Sequence, residues 1–317
     1  QSIEWPGTRA ARQQAAEASV RGAEANFDEI RLNMKASVKR TFYEVLLAET
    51  LADLASRLLR TMTDLQGAVK RRVDAGEAPP FELVKVKVEW LQAQKQVSQR
   101  EGKVKTRKAA LNQLTADHLG DQFGIKGKFH PGNVQVNEQR LVDQAFQEHP
   151  EIKKFQKHVD AATAKYNQEQ QARIPNVTVN GAYQRDAGRE GIVGGISVPL
   201  PIWNQRQGQI AQALGVRRQA EAQLQQAKIA LKRGITEQIQ HVRITSAQIK
   251  TFEQGLLQQA QEAVRIARTS FKFGEASLLE VLDAQRTSWQ TFQAYAEARF
   301  NLAMAIIELE RLTGEDL

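Results

Sequence analysis

Apolar residues recur along this chain in two long stripes. Leu47, Leu51, Leu54, Leu58, Met62, Leu65 and Val69 step by 4, 3, 4, 4, 3 and 4 residues. Phe292, Tyr295, Ala298, Leu302, Ala305, Leu309 and Leu312 step by 3, 3, 4, 3, 4 and 3. Each spacing makes one face of a helix apolar and leaves the remainder to Gln, Glu, Lys and Arg. Proline is absent from Gly7 to Ala78 and from Ile202 to Leu317. Both spans are therefore predicted helical, the second broken only near Gly274, and their length points to coiled coil. A third helix is predicted over 140–173, ending before Pro175, with His149-Pro150 as an interruption near its start. Between these helices the period changes to two. Val177, Val179, Gly181 and Tyr183 alternate with Thr178, Asn180, Ala182 and Gln184; Ile192, Gly194, Ile196, Val198 and Leu200 alternate with Val193, Gly195 and Ser197. That pattern predicts a β-hairpin over 176–201 with its turn at Asp186–Gly191.

The chain also repeats itself. "KRRVDAGEAPPFELVKVK" (70–87) and "RTSFKFGEASLLEVLDAQ" (268–285) share Gly-Glu-Ala, then Glu four residues after that Ala; Gly274 minus Gly76 and Glu280 minus Glu82 both give 198. The same offset carries Trp5 to Trp203, Leu111 to Leu309, Leu114 to Leu312 and Thr115 to Thr313 without a gap. Each repeat reads as a helix, a tight turn and a returning helix. One extra residue would rotate a stripe by ~100° and shift its tip by ~1.5 Å, so a gapless offset predicts equal arms, each roughly 100 Å long, with two tips in one plane. Repeat 1 spans 1–118, a Gly- and Pro-bearing loop 119–139, and repeat 2 spans 140–317 with its helical hairpin at 203–313. On this register repeat 1 is expected to lack its N-terminal helix and most of its hairpin, about 60 residues by the same subtraction; "QSIEWPG" (1–7) is the remnant matching "PLPIWNQ" (199–205). Residue 1 being Gln, the chain is expected to be a processed or truncated product.

Composition narrows the chemistry. Aromatics are 6% and there are 8 prolines in 317 residues, a mixture that favours long helices over a compact α/β core. Cysteine is absent, so neither disulfides nor thiolate metal sites are available. The net charge of +8 is spread among Gln and Glu; its densest run, Lys70-Arg71-Arg72, has no interleaved aromatics, which argues against nucleic acid as a partner. No apolar run reaches the roughly 18 residues a membrane helix requires. His118, His130, His149, His158 and His241 show no i, i+4 pairing and no zincin pattern, and no glycine loop follows a strand. An enzyme, a resident cofactor and a bound metal are all unsupported.

A lone two-stranded hairpin is unstable in water. Strands with one apolar and one small-polar face suit a wall between lipid and water, and open edges are not tolerated in lipid. Several subunits would have to pool strands into one barrel. Trp5 and Trp203, where strand becomes helix, suit an aromatic girdle at the membrane surface; packing in a core is the other reading.

These features together resemble the outer-membrane efflux factor family, the TolC-like ducts of tripartite pumps. The resemblance rests on the doubled architecture, on "PLPIWNQRQGQI" (199–210), and on "FGEASLLEVLDAQ" (273–285) followed by "EARFNLAMAIIELERLTG" (297–314). It implies a mainly α protein: two repeats of long antiparallel helical hairpins forming an α-barrel, plus a hairpin for a trimeric transmembrane β-barrel. It also implies a homotrimer in the outer membrane with a periplasmic helical portion. The duct would be passive, bridged by a periplasmic adaptor to an inner-membrane transporter of the resistance-nodulation-division type. The "WPG" and "PIWNQRQG" junctions resemble the cobalt–zinc–cadmium cation-efflux branch more than the multidrug branch, so divalent cations are the expected cargo; a multidrug or type I secretion duct of the same fold is the alternative. By the same resemblance Glu280 and Asp283, three residues apart on one helix face, line a periplasmic aperture, where crowding should raise some of their pKa values. Glu82 is the repeat 1 counterpart, and Lys85, opposite Asp283 in the repeat, could latch it across the seam. Ordinary solvated charges are the other reading of all four. Gly76, Glu77, Ala78, Gly274, Glu275 and Ala276 form the tips, read both as helix caps and as adaptor-docking knobs, with Pro79-Pro80 making the first tip unlike the second. The rival from another class is a coiled-coil scaffold or membrane-surface protein, which explains the stripes but not the hairpin.

Overall fold

The computed structural model describes residues 1–317 except Gln1, Glu4, Trp5, Asp121, 130–136, Ala187, Pro201 and Leu317. After a short strand β1 (Ser2–Ile3), the first proline-free span is one helix of 69 residues, α1 (Pro6–Asp74), and α2 (Pro80–Leu114) returns from it. The helix expected over 140–173 is two helices, α3 (Glu138–Glu148) and α4 (Pro150–Gln171). The break is local chemistry: buried His149 caps α4, its Nδ1 accepting the Glu151 N–H at 3.3 Å, and Pro150 fills the first helical position, where its missing N–H costs nothing. The hairpin follows as β2 (Val177–Asp186) and β3 (Arg189–Ser197), then α5 (Gln207–Thr251), α6 (Leu257–Lys272) and α7 (Leu278–Thr313). Mainly helical repeats with a β-hairpin are what the patterning required.

The second arm departs from expectation. A π-helical segment, Phe252–Leu256, separates α5 from α6, and Gly255 sits there at φ 149° and ψ −21°. A residue with a Cβ is strained at that φ. The equivalent position in repeat 1 is Arg57, and α1 passes through it unbroken. The arms are thus equal in residue count but not in helical geometry. Phe252 packs against Tyr295 of α7 at 5.7 Å between ring centroids, and the Tyr295 hydroxyl donates to Glu253 at 2.7 Å.

The chain divides into two compact units. The first comprises Gln1–Asn33, Gln139–Ile235 and Leu312–Gly314. Its helices bury small residues at seven-residue intervals, Ala11, Ala18 and Ala25 on α1 and Ala213, Ala220 and Ala227 on α5. Lys154 of α4 pairs with Glu29 of α1 at 2.5 Å. The sheet runs β1-β2-β3, antiparallel throughout. Its register joins Val179 to Ile196, Gly181 to Gly194 and Tyr183 to Ile192, while Asn180 faces Gly195 and Gln184 faces Gly191. Cross-strand partners share a face, so one face carries Val179, Tyr183, Ile192 and Ile196, and the other is mostly small or polar, with Val193 opposite Ala182 as an apolar exception. Pairing continues to Asp186↔Arg189, which makes the turn shorter than the Asp186–Gly191 expected. Val179, Tyr183, Ile192 and Ile196 are 42%, 63%, 86% and 75% exposed within the chain.

The second unit comprises Met34–Glu138, Thr236–Arg311 and Glu315–Leu317. Met62, Leu65 and Val69 of α1, Val86 and Ala93 of α2, Phe271 of α6, and Leu278, Val281 and Leu282 of α7 form one apolar core. A second core joins Val242 and Ile249 to Ala298, Leu302, Ala305 and Ile306. The segment after α2 straps this unit. Phe129 stacks on Tyr43 at 5.9 Å, and its carbonyl accepts from Arg299 at 3.1 Å; Lys108 donates to the Phe123 carbonyl at 3.0 Å.

Candidate functional site

The sequence places two turns 198 residues apart, and the structure gives them one geometry. Gly76 and Gly274 have φ of 77° and 79°. The Gly76 N–H donates to the Val73 carbonyl at 3.0 Å and Glu77 to Arg72 at 2.8 Å; Gly274 donates to Phe271 at 3.1 Å and Glu275 to Ser270 at 2.8 Å. These are paired Schellman motifs, with glycine at the left-handed position. Ala78 is buried and Ala276 partly so, while Gly76, Glu77, Gly274 and Glu275 are exposed. Both turns are capped onto the same apolar core. They are cross-braced there: Arg72 lies over the Phe271 ring at 4.8 Å, and Arg268 donates to the Thr61 carbonyl at 3.3 Å.

Beyond the turns the repeats diverge. Ser277 caps α7 through a capping box, in which its Oγ accepts the Glu280 N–H at 3.3 Å and the Glu280 carboxylate accepts the Ser277 N–H at 2.6 Å and its hydroxyl at 3.0 Å. The Ser277 N–H and hydroxyl hold the Glu280 carboxyl below the usual carboxylate range. Within the chain this is opposite in direction to the rise expected from crowded like charges. In repeat 1 the Ser277 position is Pro79, which has neither N–H nor hydroxyl to offer. Glu82 therefore has no box to close, and its Oε2 is buried without a hydrogen-bond partner. The Ser-x-x-Glu spacing at 277–280 is a sequence-level cap signal that reading Glu280 as an aperture group passed over.

Asp283 is exposed and pairs with Arg286 at 2.9 Å, one turn further along α7. Arg286 was not among the expected site residues, although its i, i+3 spacing from Asp283 is visible in the sequence. Lys85 is half-buried on α2. Asp283 is thus joined to Arg286 on its own helix, and among the described residues no ion pair joins it to Lys85. A cleft of ≈ 730 Å³ opens beside the tips, where Arg71, Arg72, Arg268 and Lys272 line it together with Asp64 and Glu77. Of the two girdle candidates, Trp203 is 90% exposed and Trp5 lies outside the described residues. Among the described residues no group of His, Asp and Glu is arranged to hold a metal, and no helix is long and apolar enough to cross a membrane.

The helical hairpins carry matching turns, and the sheet carries an exposed apolar face. The sequence profile of the outer membrane efflux proteins matches residues 1–117 and 141–315. The chain belongs to the outer membrane efflux protein family. This efflux protein is 27% identical to the cobalt-zinc-cadmium resistance protein CzcC of Cupriavidus metallidurans, over 98% of its own length and 75% of the relative's. Its fold superposes on a membrane protein of Pseudomonas aeruginosa with a TM-score of 0.86 at 17% identity, covering 99% of this chain and 75% of the other. The outer membrane protein VceC of Vibrio cholerae gives 0.83 at 19% identity, over 99% and 77%. The efflux protein is accordingly a TolC-like outer-membrane channel component with a periplasmic helical portion. It is a passive export duct and not an enzyme, and its family works with adaptor and inner-membrane pump partners.

Proposed function

We propose that this efflux protein forms a homotrimeric duct that releases divalent metal cations across the outer membrane. In this reading an adaptor docks at the Gly76–Ala78 and Gly274–Ala276 tips, and Glu280 and Asp283 line the periplasmic aperture. The observation that supports assembly is the sheet itself: three strands with an exposed apolar face and, among the described residues, no partner strand at the β3 edge. Such an edge cannot stand in lipid. Other copies must pair with it, and closing the sheet into a barrel removes the edge. The cargo reading rests on the likeness to a cobalt-zinc-cadmium resistance protein over nearly the whole chain. Exposed carboxylates at the tip fit cations, because acidic rings concentrate them without coordinating them tightly. Arg286 offsets part of the Asp283 charge, so Glu280 carries the larger share of the field.

Two measurements test this. Light scattering on the detergent-solubilised full-length protein should give a trimer; a monodisperse dimer would return the coiled-coil scaffold reading. In planar bilayers under a salt gradient, the Glu280→Gln/Asp283→Asn double variant should lose most of the cation preference of the parent. An unchanged reversal potential would remove these residues from the aperture. Restoring zinc and cobalt tolerance, but not drug tolerance, in cells lacking the native duct distinguishes cation export from multidrug export.

A further inference from the structure

A second cleft, of ≈ 560 Å³, lies at the foot of the hairpin in the first unit, where the chain enters β2 through Pro175 and Asn176 and leaves β3 through Pro199 and Leu200. We propose that it holds the phosphate headgroup of an anionic glycerophospholipid from the periplasmic leaflet of the membrane, with Arg173 as the cation that receives it. The inference rests on the outer-membrane location established above and goes beyond the export function.

The two arginines of the cleft are in different states. Arg206 is committed to the wall. It has a left-handed backbone at φ 61°, its N–H donates to Asn204 Oδ1 at 3.0 Å, and its guanidinium is paired with Glu169, which Lys165 also contacts at 3.3 Å. Arg206 and Lys165 hold the Glu169 carboxyl below its ordinary range, so that charge is already balanced. Arg173 differs. Its side-chain partner is the neutral amide oxygen of Gln205 at 2.9 Å, and no ion pair joins it to a carboxylate among the described residues. A planar guanidinium with unspent donors matches phosphate geometry.

The other lining groups say which anion. Ile174, Leu200, Ile202 and Trp203 are 39%, 74%, 66% and 90% exposed. They give the cleft exposed apolar surface at the foot of a hairpin whose Tyr183, Ile192 and Ile196 are exposed as well. A free phosphate cannot use that surface, whereas a diacyl lipid satisfies both halves at once. An exposed tryptophan beside a basic pocket at this level is the arrangement of an interfacial lipid site.

The test is native mass spectrometry of the full chain, delipidated in detergent and titrated with phosphatidylglycerol or phosphatidylcholine of identical acyl chains. Phosphatidylglycerol is expected to be retained at several-fold lower lipid concentration. Arg173→Gln should weaken it roughly tenfold, the scale of one charge-assisted hydrogen bond, and Arg173→Lys should keep most of it. Equal retention of the two lipids overturns the proposal and requires no variant. Unchanged retention in Arg173→Gln also overturns it. Full displacement of phosphatidylglycerol by millimolar inorganic phosphate would make the cleft a free-anion site and reject the lipid.

Discussion

Substituting alanine for glycine at three positions of this chain should give opposite signs for one reason. Gly76, Gly274 and Gly102 all have open space where a Cβ would go, with nothing within 4 Å. Steric contact is therefore removed as a variable, and only backbone conformation remains. Gly76 and Gly274 hold φ of 77° and 79° at the helix turns, where an L-residue costs roughly 1–2 kcal/mol. Gly102 lies inside α2, and there Ala is favoured by about 0.5–1 kcal/mol. Local opening at the tips is best read by hydrogen exchange, since unfolding of a membrane assembly need not be reversible. The reporting amides are Glu77, bonded to the Arg72 carbonyl, and Glu275, bonded to the Ser270 carbonyl. With about 1.4 kcal/mol per tenfold change, Gly274→Ala should speed Glu275 exchange by roughly 5- to 30-fold. Gly76→Ala should do the same at Glu77. Gly102→Ala should slow exchange in mid-α2 by roughly 2- to 5-fold. If Gly274→Ala left Glu275 within twofold of the parent, or if Gly102→Ala accelerated its own surroundings, the Schellman assignment of the tips would be wrong.

Three further outcomes follow from the packing and the charges. Leu302 is fully buried in the core of α5 and α7, so Leu302→Ala should cost about 2–5 kcal/mol and lower the melting temperature by several degrees in a thermal scan. Glu280→Gln should loosen the first turn of α7, seen as faster amide exchange from Ser277 to Val281, while Glu82→Gln should leave the start of α2 unchanged because Pro79 offers its carboxylate no N–H. Asp316 is held at about 2 chiefly by the Lys35 ammonium and then by Lys39. A carboxyl depressed in the folded state contributes stability that is complete above its unfolded value of about 4 and is lost as pH falls through the folded value. Because Lys35 and Asp316 are mostly exposed, solvent screening keeps the contribution well below ~1 kcal/mol. Melting curves of Asp316→Asn should therefore lie slightly below those of the parent at pH 6 and converge on them only as pH falls through the folded value.

The long-range organisation was legible because it depends on counting. Stripe spacing, proline placement and the 198-residue offset are properties of the residue series itself, and α1, α2, α7, the hairpin and both turns fall where they indicate. The π segment was not legible. Gly208, Gly215, Gly234 and Gly255 all lie in the second arm, yet only Gly255 of these has a positive φ, and nothing in its immediate neighbours marks it out. Which glycine yields depends on packing across the bundle, where Phe252 meets Tyr295 and Glu253 takes the Tyr295 hydroxyl. The split of helix 140–173 was half legible: His149-Pro150 marked the place, but the buried imidazole acting as an N-cap is a tertiary fact.

The tip carboxylates show how a repeat misleads when it is read by identity alone. Glu82 and Glu280 occupy equivalent positions, and a charge-ring argument treats them alike. Their local chemistry is set by the residue three before each. Ser277 gives Glu280 two donors and fixes it against the helix start, whereas Pro79 gives Glu82 none and leaves Oε2 buried and unpaired. Fixing a carboxylate at a helix N-terminus keeps it ionised, and an ionised, exposed group is what a cation-attracting aperture requires. The cap and the proposed aperture role of Glu280 are therefore compatible, since the box favours the ionised carboxylate as pH falls. Glu82 is the weaker aperture candidate, since its Oε2 is buried and without a hydrogen-bond partner, whereas Glu280 is exposed. A ring built from this chain would draw its exposed carboxylates from the second repeat, Glu280 and the Arg286-paired Asp283 of each subunit.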